Sequence, residues 1–157
     1  MALVAAYRSA RRDEELARLR RALALRAMAA TGMSQRQMAE ALGITQPAVS
    51  QQLKNAPDLD QVHPAALVDA AAPILTSLAK ANGYARLAVF GSVARNQAHQ
   101  DSDIDLLVEA PEETSSFEFI RFARLLEHVL GRKIDLVSYA GMDPKLDADI
   151  RREAVLL

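Results

Sequence analysis

The chain has 157 residues, half of them apolar, a quarter charged and 4% aromatic, with a net charge of −1. This composition excludes disorder, collagen and low complexity as descriptions of the whole, and the length allows one ordinary domain or two very small ones. Cysteine is absent, which rules out disulfides, cysteine-ligated zinc, iron–sulfur clusters and thiol nucleophiles.

No apolar run approaches the roughly 20 residues that span a bilayer. The apolar stretch Met1 to Tyr7 is too short for a secretory signal, and Arg8, Arg11 and Arg12 follow it at once. A soluble, cytoplasmic protein without a membrane partner is expected. The charge is uneven. Residues 1–56 hold nine Lys/Arg against four acids, net +5, whereas the remainder holds 10 against 16, net −6. A basic front suits a polyanion and an acidic back suits metal ions.

The spacing of Leu16, Leu19 and Leu23 predicts a helix over Glu14–Ala30, ended by Gly32. Ser34 to Leu42 forms a second, with Ser34 and Gln37 as a capping box and Gly43 as the stop. Thr45 caps a third that runs to about Leu53, with Pro47 in its first turn. The stretch from Asn55 to Pro64 has two prolines and no period, so it reads as a linker. Ala65–Ala81 is helical, with a kink or break expected at Pro73. Strands follow at Arg86–Phe90 and Ile104–Val108. Ser115 and Glu118 cap a helix whose apolar stripe is Phe119, Phe122, Leu126 and Val129, stopped by Gly131. Ile134–Val137 is a further strand, and Leu146–Val155 reads as a closing helix.

Within the front unit, the run Met33 to Leu53 places a glycine turn between two short helices, with Ala39 small where they meet and Met38, Leu42, Ile44, Val49 and Leu53 as core. It resembles the phage-repressor-like Xre helix-turn-helix family over about residues 12–56. Such a resemblance implies a recognition helix in the major groove. Gln46 and Gln51 would read bases, since glutamine bonds adenine bidentately. Gln35 and Thr45, at helix N-termini, would contact phosphates. A dimer or larger assembly on operator DNA is expected.

In the back unit, Phe90-Gly91-Ser92 is followed, after ten intervening residues, by Asp103-Ile104-Asp105. A glycine after a strand lets the backbone approach a phosphate, and Ser92 adds a hydroxyl. Asp103 and Asp105, two apart on a strand, face one way. Side-by-side carboxylates repel unless cations sit between them. Asp135, in the apolar run Ile134 to Val137, would join them if its strand neighbours theirs, and three carboxylates can hold two metals.

These residues, with Val93-Ala94-Arg95 and Ser102 to Val108, resemble the minimal nucleotidyltransferases of the DNA polymerase β-like superfamily over about residues 66–157. The resemblance implies transfer of a nucleoside monophosphate from an NTP to a hydroxyl. Gly91, Ser92 and Arg95 would bind the triphosphate, and Asp103, Asp105 and Asp135 would carry catalysis and hold Mg²⁺. Asn96 stands where the family commonly has glycine.

The expected architecture is α+β: a small all-α helix-turn-helix domain at 1–56, a linker at 57–65, and a minimal nucleotidyltransferase α/β domain at 66–157 with a short mixed sheet. The expected function is that of an antitoxin. It would be a metal-dependent, protein adenylyltransferase-like enzyme that transfers NMP, from ATP as the expected nucleotide, to a hydroxyl of a partner toxin. Family analogy makes that toxin a HEPN protein, and the chain would also repress its own operator as a homo-oligomer or toxin complex. The alternative is a DNA-binding transcriptional regulator whose second unit only senses nucleotide or docks a partner.

Overall fold

A computed structural model describes residues 1–145 and 147–157. The chain forms two compact units, Met1–Asp58 and Leu59–Leu157.

In the first unit, helix α1 spans Ala2–Ala30, α2 Gln35–Leu42 and α3 Gln46–Lys54. Helix α1 begins twelve residues before the expected Glu14. Residues 2–13 hold no Gly or Pro and are rich in alanine, so nothing interrupts the helix, although they are exposed. The caps form as the sequence predicts. Ser34 Oγ accepts from Gln37 N–H at 3.2 Å while Gln37 Oε1 accepts from Ser34 N–H at 2.8 Å. Gly43 ends α2 in the left-handed region at φ 67°, and the Ile44 N–H returns to the Ala39 carbonyl. The core is Leu25, Met38, Ala39 and Val49, with Met28, Met33 and Leu53 packed on it. Leu42 and Ile44, expected in that core, are 43% and 37% exposed. Helix α2 has only eight residues, and Leu25 and Met28 of α1 provide the packing assigned to them. The Arg18 guanidinium donates to the Asn55 carbonyl at the end of α3.

In the second unit, α4 spans Pro64–Ala81, β1 Ala85–Phe90, α5 Gly91–Ala94, β2 Ile104–Glu109, α6 Ser116–Leu130, β3 Ile134–Ser138, α7 Ala148–Glu153 and β4 Val155–Leu156. The sheet order is β3-β2-β1-β4. Strand β2 runs parallel to β3 and antiparallel to β1, and β4 is antiparallel to β1. The class is α+β with a mixed sheet.

Helix α4 is continuous through Pro73. Helix α4 packs on β1, α6 on β3, and the two helices on each other. Tyr84 stacks on Phe122 of α6 with ring centroids 3.9 Å apart. The opposite face of the sheet presents Ala88, Phe90 and Leu107 to Met142, Val137, Tyr139, Ile150 and Ala154. The C-terminal residues therefore cover this face. The alternation of β2 leaves Ile104, Leu106 and Val108, all fully buried, for the helical face.

Two further expectations are corrected. Leu146 lies outside the described residues, and the closing helix is only Ala148–Glu153, because Val155 and Leu156 pair with Val89 and Ala88 as strand β4. The expected linker also ends sooner. Leu59 is buried in a 3-10 turn, and Arg132 donates to the carbonyls of Asp60, Val62 and Gln100 at 3.2, 2.8 and 2.8 Å. His63 caps α4, with Nδ1 accepting from Ala65 N–H at 3.2 Å and Nε2 3.0 Å from the Ala98 carbonyl. These bonds tie residues 60–63 to the loop between α5 and β2.

Leu126 is fully buried in α6. Leu126→Ala is expected to destabilise the protein by about 2–5 kcal/mol, read as a lower urea midpoint with unchanged slope.

Candidate nucleotide site

The site is built by strand register. Phe90, the last residue of β1, stands opposite Asp105 of β2, and Asp105 stands opposite Asp135 of β3. One row across three strands thus ends in two carboxylates on a single face. Asp103 precedes β2 by one residue.

The chain turns sharply after Phe90. Gly91 adopts φ +69°, and a Cβ built on it would lie 2.1 Å from Asp105 Oδ2 and 3.0 Å from its Cγ. Glycine is required there twice, for the left-handed backbone and for the carboxylate pressed against it. Ser92 follows, half-buried, in the first turn of α5. That helix is a single turn; it offers a few backbone N–H groups rather than a long dipole. Asn96 holds φ +55°, a left-handed conformation that Asn tolerates.

Asp105 has its carboxyl pushed above the ordinary Asp range, first by burial and then by Asp135 and Asp103; Glu153 adds to the rise and Arg95 opposes it. The acids repel across a small space. Among the described residues no three carboxylates or imidazoles form a preassembled metal cage. The donors are nevertheless hard oxygens that Arg95 only partly compensates, a set suited to a divalent cation.

The sequence reading missed Glu153. Its carboxylate accepts from the Gly91 N–H at 3.2 Å and from Arg95 Nη1 at 3.1 and 3.2 Å. Arg95 Nε donates to Gln97 Oε1 at 3.1 Å. The partners lie 58 and 62 residues from Glu153 in sequence, and no local pattern signals such a contact.

Geometry of this kind can cradle a phosphate and hold charge beside it. A family model described as the nucleotidyltransferase domain matches residues 72–157. The chain belongs to the nucleotidyltransferase domain family. It is 42% identical over 74 residues to a candidate protein adenylyltransferase of Methanocaldococcus jannaschii, covering 47% of this chain and 80% of the relative. It is 37% identical over 73 residues to protein adenylyltransferase MntA of Thermococcus cleftensis, covering 46% and 74%. A solved structure described as a candidate minimal nucleotidyltransferase superposes with a TM-score of 0.53 at 37% identity, covering 66% of this chain and 99% of that one. The family match lies within the second unit and begins at residue 72.

In the first unit, Gln35 opens α2 and Gln46 opens α3, and Gln46 Nε2 donates to Gln35 Oε1 at 2.7 Å. Thr45 Oγ1 accepts from Ala48 N–H at 3.2 Å, which leaves its hydroxyl proton available to donate. Gln51 lies five residues beyond Gln46 on α3 and is exposed.

Two outcomes follow. Gly91→Ala is expected to lose about 1–3 kcal/mol of stability, measured by urea unfolding. For Asp105, the folded state binds its proton more tightly than the unfolded chain, so stability falls as pH rises through the raised value. Asp105→Asn should raise Tm by a few degrees at neutral pH, and the gain should vanish well below the carboxylate range.

Proposed function

We propose that this nucleotidyltransferase transfers NMP, from ATP as the expected donor, to a hydroxyl on a partner toxin, and that its first unit binds operator DNA. The observation that carries the transferase reading is the packing of Asp105 against Gly91 with Asp135 in the adjoining register. The adenylyltransferase names of its relatives support AMP as the transferred group and a protein as the acceptor. The toxin, and a HEPN protein as its class, rest on family analogy.

In this mechanism Ser92 and Arg95 donate hydrogen bonds to the triphosphate beside Gly91. Mg²⁺ held by Asp103, Asp105 and Asp135 would supply charge neutralisation and a lowered pKa for the attacking hydroxyl. Asp135 stands at the exposed end of the carboxylate row, where it can receive the acceptor's proton. The acceptor oxygen bonds to the α-phosphorus, the bond from that phosphorus to the bridging oxygen breaks, and pyrophosphate leaves.

For the first unit, the Gln35–Gln46 bond supports the DNA reading. It fixes the Gln46 amide at the start of α3 while sparing its carbonyl oxygen and one N–H, the pair that adenine requires.

The test uses each NTP labelled at the α-phosphate, with Mg²⁺, the full chain and lysate from cells that carry the locus. A labelled protein band is expected with wild type and absent with Asp103→Asn/Asp105→Asn. Label in RNA or a small molecule would keep the transferase and remove the antitoxin. Bound nucleotide without transfer would favour the regulator that only senses nucleotide. Gln46→Ala/Gln51→Ala should weaken operator binding at least tenfold, about 1–3 kcal/mol per lost base contact, in a gel-shift titration at fixed salt.

A further inference from the structure

Arg95 is a long side chain, 46% exposed, yet it is held at two points. Its Nε donates to Gln97 Oε1, and its Nη1 donates to both oxygens of Glu153. Among the described residues, nothing engages Nη2, so its two N–H groups remain for a ligand. Glu153 is the less exposed partner, at 23%, and its Oε1 also takes the Gly91 N–H. It sits on α7 between Ile150 and Ala154, both packed against the sheet. The carboxylate is therefore delivered by a fixed element, unlike the partner in an ordinary surface ion pair.

We propose that Glu153 is the positioning residue of the triphosphate cradle: it clamps Arg95 with Nη2 presented to a phosphate and secures the Gly91 turn. An unclamped arginine would lose rotamer freedom on meeting the nucleotide; one ordered beforehand loses little. The position also explains an otherwise unfavourable choice, a fourth acid beside Asp103, Asp105 and Asp135 that raises the Asp105 carboxyl further. Its charge is matched by Arg95 and its lone pairs by a backbone donor. This role rests on the nucleotide-transfer reading above.

Four full-chain variants test it: Glu153→Gln, Glu153→Ala, Arg95→Ala and the Arg95→Ala/Glu153→Ala pair. Calorimetry gives ATP affinity with Mg²⁺, and transfer assays give KM and kcat separately. Glu153→Ala should weaken ATP binding and raise KM about ten- to a hundredfold, with a smaller change in kcat. Glu153→Gln, which keeps an acceptor for Gly91 but loses the charge, should fall between and melt within a few degrees of wild type. If Glu153 acts largely through Arg95, the double variant loses less than the sum of the two single losses. Equal or tighter ATP binding by Glu153→Gln would overturn the proposal, because the carboxylate would then compete with phosphate. Additive losses in the double variant would overturn it as well. Wild type that binds none of the four nucleotides would remove the transferase reading and this role together; the other two outcomes remove the role alone.

Discussion

Asp105 presses its carboxylate against the α-carbon of Gly91, where even a methyl group would collide. That contact requires β1 to stop at Phe90 and the chain to turn away in a conformation other residues resist. It requires β2 to hold its register against both neighbours, since a slip of one residue would send Asp105 into the helical layer and an apolar side chain to the site. Ile104, Leu106 and Val108, fully buried on the other face, prevent the slip. Hydrophobic burial on one side of a strand thus fixes the position of a strained charge on the other.

That charge is costly to the fold. Burial and two neighbouring acids act on Asp105 together, an arrangement that favours the protonated form and opposes folding at neutral pH. Proteins hold such groups where function needs them, and stability elsewhere offsets the cost. The rest of the second unit is well equipped for this. Helix α6 has a full capping box and a glycine stop, and Tyr84 stacks on Phe122. The loop between α5 and β2 is tied through His63, Gln100 and Arg132 to the chain that precedes α4.

Much of this was legible in the sequence wherever the determinant is local. Ser34, Thr45 and Ser115 cap the helices they were expected to cap because a cap needs only its own next three residues. Strands β1, β2 and β3 lie within a residue of their expected bounds because alternation is a property of one segment. The parallel pairing that sets Asp135 beside Asp105 could be stated only as a condition, since register is a property of two strands. Leu42 and Ile44 were misplaced because they flank the Gly43 turn, where helical periodicity no longer says which side chains face inward. Glu153 gave no signal, as its partners belong to distant parts of the chain, and β4 depends wholly on the strand it joins.

The separation of these contacts along the chain sets what each depends on. The first unit is made of neighbouring helices, whose contacts close short loops. The carboxylate row is set by β1, β2 and β3 among themselves. The Arg95 guanidinium is held instead by Glu153, 58 residues away, on a segment that Val155 and Leu156 fasten to β1. Loosening residues 148–157 would therefore release the guanidinium while leaving the acids in register, so the cation and the anions of this face answer to different parts of the chain.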